Sequence, residues 1–107
     1  MLEAAQQATD YVSSMTLETF KDDKRTQQAV IFNLMILGEA TTKLCNKYPD
    51  MPEKYPDIAW NAMRGMRNHL VHAYFDINLE VVWNVTQSEL PRLIAQLTRA
   101  NNDFRGT

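Results

Sequence analysis

The chain is short of backbone breakers: it has three glycines, and its prolines sit at 49, 52 and 56 apart from a lone Pro91. A fold of short strands and tight turns would consume far more Gly, Pro and Asn, so the sequence reads instead as a few long elements. A single cysteine, Cys45, excludes an internal disulfide, and its place on an apolar helical stripe with Leu37 and Leu44 predicts a reduced, buried thiol. No apolar run approaches the ~20 residues of a membrane-crossing helix, so no membrane residence is expected. The N-terminus, MLEAAQQATDYV, carries an acid and glutamines where a secretory signal has a basic region and an apolar core, and a cytoplasmic location is expected. A formal net charge of −2 excludes a broad nucleic-acid binder, whose affinity comes from many Lys and Arg contacts to phosphate. The most informative absence is local. Acidic residues fall silent between Asp57 and Asp76, and the gap holds Arg64, Arg67, His69 and His72, so a positive patch is written into a mildly acidic chain.

With 45% hydrophobic and 22% charged residues, 107 residues suit one soluble globular domain spanning 1–107. The apolar spacing is helical, not alternating. The first helix is predicted over about Leu2–Ser14, with Leu2, Ala5, Ala8 and Val12 on one stripe. After the polar linker KDDKRT, a second helix is predicted over about Arg25–Tyr48. Its inner face carries Ala29, Val30, Asn33, Ile36, Leu37, Ala40 and Leu44, while Ile31, Phe32 and Met35 make a second face. Such a helix is central to a bundle or also serves an oligomer interface. Gly38 lies inside it, where glycine costs about 1 kcal/mol relative to alanine, and close approach of another helix would explain it. YPDMPEKYP ends this helix. Asp57 is predicted to cap a third helix of about Ile58–Phe75, with Phe75 in the core, and FDIN to form a turn. Asn78 caps a fourth helix, Leu79 to about Ala100, with Glu80 in its first turn. Pro91 should kink it or mark a restart capped by Ser88. Residues 101–107 read as a frayed tail. The expected architecture is all-α, an up-and-down four-helix-type bundle.

The octet Arg67–Tyr74, RNHLVHAY, carries the chemistry. A guanidinium binds two phosphate oxygens at once and can stabilise the charge that builds in a transition state. An imidazole with an ordinary pKa of about 6.5 can serve as general acid or base. On RNA, the ribose 2′-hydroxyl supplies the nucleophile, so no metal and no cofactor is required. His69 and His72 are three apart, but no nearby carboxylate or cysteine completes a metal site. Arg67 and Tyr74 project almost along one line of a helix, whereas His72 points about 140° from Arg67 and shares a face with Asn68. One straight helix does not bring Arg67 and His72 together unaided. The arginine reaches round, the helix ends or bends near Val71, or a second copy supplies the partner group; a two-fold dimer would gather both pairs in one cleft. Asn68 can orient the imidazole or bind phosphate, and Arg64 adds charge. Taken singly, these residues also suit structural roles. His72 can interact with the last carbonyls of its helix, and Tyr74 can bury its ring. Trp60, Trp83, Met63 and Met66 read as core filler.

From Trp60 to Leu93, WNAMRGMRNHLVHAYFDINLEVVWNVTQSELPRL resembles the HepT-like branch of the HEPN domains, which carries Arg-x4-His-x-Tyr on a short helical bundle. The resemblance extends upstream through RTQQAVIFNLMILGEATTKL, with its internal glycine and following glutamate. The first helix looks shorter than the family pattern. The resemblance implies a metal-independent ribonuclease toxin, working as a homodimer with two motifs facing one cleft. It also implies a small nucleotidyltransferase antitoxin that transfers AMP to the motif tyrosine. Carried over, Arg67 and His72 are catalytic, Asn68 and Arg64 supporting, and Tyr74 the modified residue. Two other readings stay open. The chain could be a non-catalytic module that binds a nucleotidyltransferase and holds nucleotide phosphate in the same patch, or a structural four-helix dimer whose Arg67 and His72 secure the interface.

Overall fold

A computed structural model describes residues 1–105, the side chains of residues 74 and 103–105 excepted. Every regular element among the described residues is helical: α1 (Leu2–Tyr11), α2 (Leu17–Lys21), α3 (Lys24–Lys47), α4 (Met51–Lys54), α5 (Trp60–His72), α6 (Leu79–Asn84) and α7 (Leu90–Arg105). A 3-10 turn, Tyr74–Asp76, follows α5, and a π turn, Val85–Glu89, joins α6 to α7. No helix among them is long and apolar enough to cross a membrane.

α3 packs on both α1 and α5, and α1 packs in turn on α7, which gives the spatial order α5, α3, α1, α7. The direction alternates along that order. Met1 and Leu2 at the start of α1, Leu44 and Tyr48 at the end of α3, Trp60 at the start of α5, and Leu97 and Ala100 on α7 all line one hollow. At the opposite end Lys21 Nζ donates to Glu80 Oε1 at 2.9 Å, tying α2 to the start of α6. This is the expected up-and-down arrangement. Its axis is α3, whose Val30, Leu34, Leu37, Thr41 and Cys45 recur at helical spacing and are buried. Thr41 is tolerated there because its hydroxyl donates to the Leu37 carbonyl at 2.7 Å.

Several boundaries differ from expectation, each for a local reason. α2 has no counterpart among the expected helices: Thr16 and Thr19 form a capping box, and the buried Phe20 pins the turn by packing on Trp83 at 5.5 Å between ring centroids. α5 starts at Trp60 with Ala59 at its N-cap, so Asp57 does not cap it. The segment before it is drawn into the core instead, with Ile58 buried and the Trp60 indole donating to the Tyr55 carbonyl at 2.9 Å. The Asp57 carbonyl accepts from Gln96 of α7. Phe75 is not core: it is 95% exposed, because α5 ends at His72 and the chain turns before reaching it. Ile36, expected on the inner face of α3, is 40% exposed.

Pro91 does not mark a restart capped by Ser88, because Ser88 lies inside the π turn. There the Leu90 N–H reaches the Val85 carbonyl, five residues back. A π turn displaces the carbonyls that a proline ring would strike, so the helix continues. The backbone stays helical to Arg105, past the expected end at Ala100; of the predicted tail, only residues 106–107 lie outside the described residues.

Candidate active site

Gly38 places the site. A Cβ built there would stand 2.6 Å from Arg67 Cβ and 2.9 Å from the Met63 carbonyl oxygen, closer than real contacts allow. Its missing side chain lets α5 lie against the backbone of α3, and the contact falls at Arg67. The close approach expected from the sequence is thus real, and α5 is the helix that makes it.

The next residue of α3 is Glu39, and its Oε1 lies 3.1 Å from Arg67 Nε. Arg67 Nη1 donates to Asn68 Oδ1 at 3.1 Å. Both members of the ion pair are half-buried. The carboxylate-free stretch of the sequence is therefore not carboxylate-free in space: a neighbouring helix supplies an acid that the linear order kept far away. The residue type of Glu39 points to no role, and its one signal in the sequence is its place after an internal glycine that marks a helix contact.

Asn61, Arg64, Asn68 and His72 follow one another at spacings of three, four and four, and so form a single outward ridge of α5. Arg64 Nη2 donates to Asn61 Oδ1 on that ridge. Asn68 stands between Arg67, to which it is hydrogen-bonded, and His72, one turn further on and exposed. Arg67 and His72 are not brought together by an early helix end, because α5 stays regular through His72, with the Ala73 N–H on the His69 carbonyl at 2.9 Å. Arg67 turns instead toward Glu39 and Asn68. His69 faces elsewhere: it lines a cleft of about 340 Å³ between α5 and α7, with Met66, Leu90 and Leu93. Tyr74 opens the 3-10 turn, and its side chain lies outside what is described. Among the described residues, no three His, Cys, Asp or Glu gather as a metal-binding group.

An apolar patch borders the ion pair. Phe32 and Ile36 lie on the Glu39 stripe of α3 and are 63% and 40% exposed; Val71, one turn after Arg67 on α5, is 44% exposed. Ile36 and Val71 each stand about one turn from a member of the ion pair, and Phe32 one turn beyond Ile36.

The chain matches the family described as "Ribonuclease HepT-like" over residues 1–100. It is 35% identical over 106 residues to "Putative RNase MJ0127" of Methanocaldococcus jannaschii, covering 99% of this chain and 85% of that one. It is 36% identical over 91 residues to "Probable ribonuclease HepT" of Thermococcus cleftensis, covering 85% and 80%. No solved structure matches. A helical bundle bearing Arg67, Asn68, His72 and Tyr74 at the motif spacing, matched over nearly its whole length, belongs to the HepT-like ribonuclease family.

Proposed function

We propose that this protein is a metal-independent RNA endonuclease and the toxin of a toxin–antitoxin pair, with its active site in the cleft of a homodimer. The observation that carries the reading is the setting of Arg67, which is fixed at a helix contact by Gly38, tethered by Glu39 and Asn68, and bordered by an exposed polar ridge ending in His72. Arg67 would hold the scissile phosphate, with Asn68 and Arg64 adding donors. His72 would take the proton from the ribose 2′-hydroxyl as that oxygen attacks phosphorus. The bond to the 5′-oxygen breaks, leaving a 2′,3′-cyclic phosphate and a 5′-hydroxyl once a proton is returned to the leaving oxygen. Because His72 projects about 140° from Arg67 around α5, a second copy is the simplest source of the complementary group. The exposed Phe32, Ile36 and Val71 offer that copy an apolar surface next to Arg67.

The test is incubation with cellular RNA in EDTA. Cleavage that survives chelation, yields cyclic phosphate ends and disappears in both Arg67→Ala and His72→Ala supports the reading; intact RNA at high protein concentration overturns it. The proposed antitoxin is a minimal nucleotidyltransferase that transfers AMP from ATP to the Tyr74 hydroxyl, releasing pyrophosphate. The added bulk and negative charge would obstruct RNA phosphate. Mass spectrometry that finds Tyr74 unmodified after reaction with a competent partner and ATP counts against this step.

One observation favours a second reading. The Arg67–Glu39 pair is what an arginine with a purely structural task would also show, so the chain could instead be a non-catalytic module that docks a nucleotidyltransferase. Growth on induced expression separates the two: toxicity abolished by His72→Ala favours the nuclease, and harmless expression with tight partner binding favours the module.

A further inference from the structure

The Arg67–Glu39 pair poses a physical problem. A carboxylate beside a phosphate-binding arginine repels the substrate, yet the pair is half-exposed, and such pairs contribute little to stability. Its geometry suggests another use. A guanidinium has five N–H donors in a rigid plane. Here Glu39 Oε1 stands 3.1 Å from Nε as an ion-pair partner, and one Nη1–H goes to Asn68 Oδ1. Three further donors lie on the Nη1/Nη2 end, where two of them can meet two phosphate oxygens in parallel. The backbone of Glu39 is held in place, because it follows Gly38, whose backbone is pressed against Met63 and Arg67 of α5. Carboxylate and guanidinium therefore start from two backbones held in mutual contact.

We infer that Glu39 is a positioning residue, whose charge beside Nε holds Arg67 so that its Nη end presents to the RNA phosphate. This rests on the nuclease reading of the site. Glu39 touches neither substrate nor reacting atoms, and it acts only through the arginine. Its negative charge weakens RNA binding in the ground state, while the fixed guanidinium geometry is realised in the transition state. The two effects therefore have opposite signs in KM and kcat.

That opposition is the test. In the full chain, Glu39→Ala is expected to bind single-stranded RNA as well as or better than the native protein while turning it over about tenfold more slowly, since misplacing a reacting group costs rate. Glu39→Gln, which keeps the shape of the side chain and loses its charge, is expected to lose rate likewise, because an ion pair holds the arginine. A merely destabilised fold would lower the active fraction and leave KM alone. Native kcat in Glu39→Ala, a rise in kcat, or a loss confined to KM overturns the inference. If the native chain leaves RNA intact, the nuclease reading fails by itself, and nitrogen-15 NMR then decides the placement of Arg67. Restricted motion of the Arg67 Nε site in the native chain that is released in Glu39→Ala and Glu39→Gln supports the hold, and the same motion in all three overturns it.

Discussion

Gly38 and Gly65 are both helical glycines, and their surroundings assign them opposite consequences. A methyl at 38 meets the backbone of α5, which has no flexible end to move aside, whereas a methyl at 65 meets nothing within 4 Å. Gly38→Ala is expected to cost roughly 1–2 kcal/mol, overpacking exceeding the gain in helix propensity, and to lower RNA cleavage by shifting Arg67. Gly65→Ala should gain up to about 1 kcal/mol, because only the propensity term remains. Urea denaturation of both variants checks the pair; equal shifts would contradict the packing account. The same scale explains what was legible. Cys45 and Met63 are buried as their stripes indicate, while Phe75 is exposed because its helix stops three residues earlier. Hydrophobicity marks a candidate for burial, and the path of the backbone decides it.

Among the elements, α2 is the one the sequence hid. Five residues give no periodicity to read, and the turn exists because Thr16 and Thr19 cap one another and Phe20 enters the core. Phe20→Ala is expected to cost about 3–5 kcal/mol and lower the melting temperature by more than about 12 °C, since it empties the contact between α2 and Trp83. A loss of only a few degrees would show that α2 is not anchored this way. Lys21 of the same element holds the Glu80 carboxyl below its ordinary 4.5, first by its hydrogen bond and then by its charge. A carboxylate depressed in the folded state contributes stability above its ordinary pKa and loses it as pH falls through the folded value. Melting curves should show a modest acid-side loss below about pH 4.5 that flattens in Glu80→Gln; an unchanged slope would remove the pair from the account. The π turn before Pro91 makes the related point that a proline in a helical pattern announces a backbone adjustment without saying which one.

For the whole molecule the question is the second copy. If sites are shared, a mixture of Arg67→Ala and His72→Ala chains forms mixed dimers in which one site holds an intact arginine and an intact histidine. About a quarter of native RNA cleavage should return on mixing two inactive proteins. No recovery after subunit exchange would place both groups in one protomer. Phe32→Glu with Ile36→Glu should yield a folded, inactive monomer by sedimentation and circular dichroism, whereas an active monomer would overturn the shared cleft.

The sequence by itself determined the helical class, the alternation of four long segments, the central role of α3, the close contact at Gly38 and the motif that places the chain in its family. These follow from periodicity, breakers and spacing, which act within a few residues of one another. Only the tertiary structure decided that Glu39 stands at Arg67, that His69 belongs to a different cleft, and that Phe32, Ile36 and Val71 remain uncovered beside the site. Each of these depends on which faces of α3, α5 and α7 meet, and that is settled by how the whole core packs.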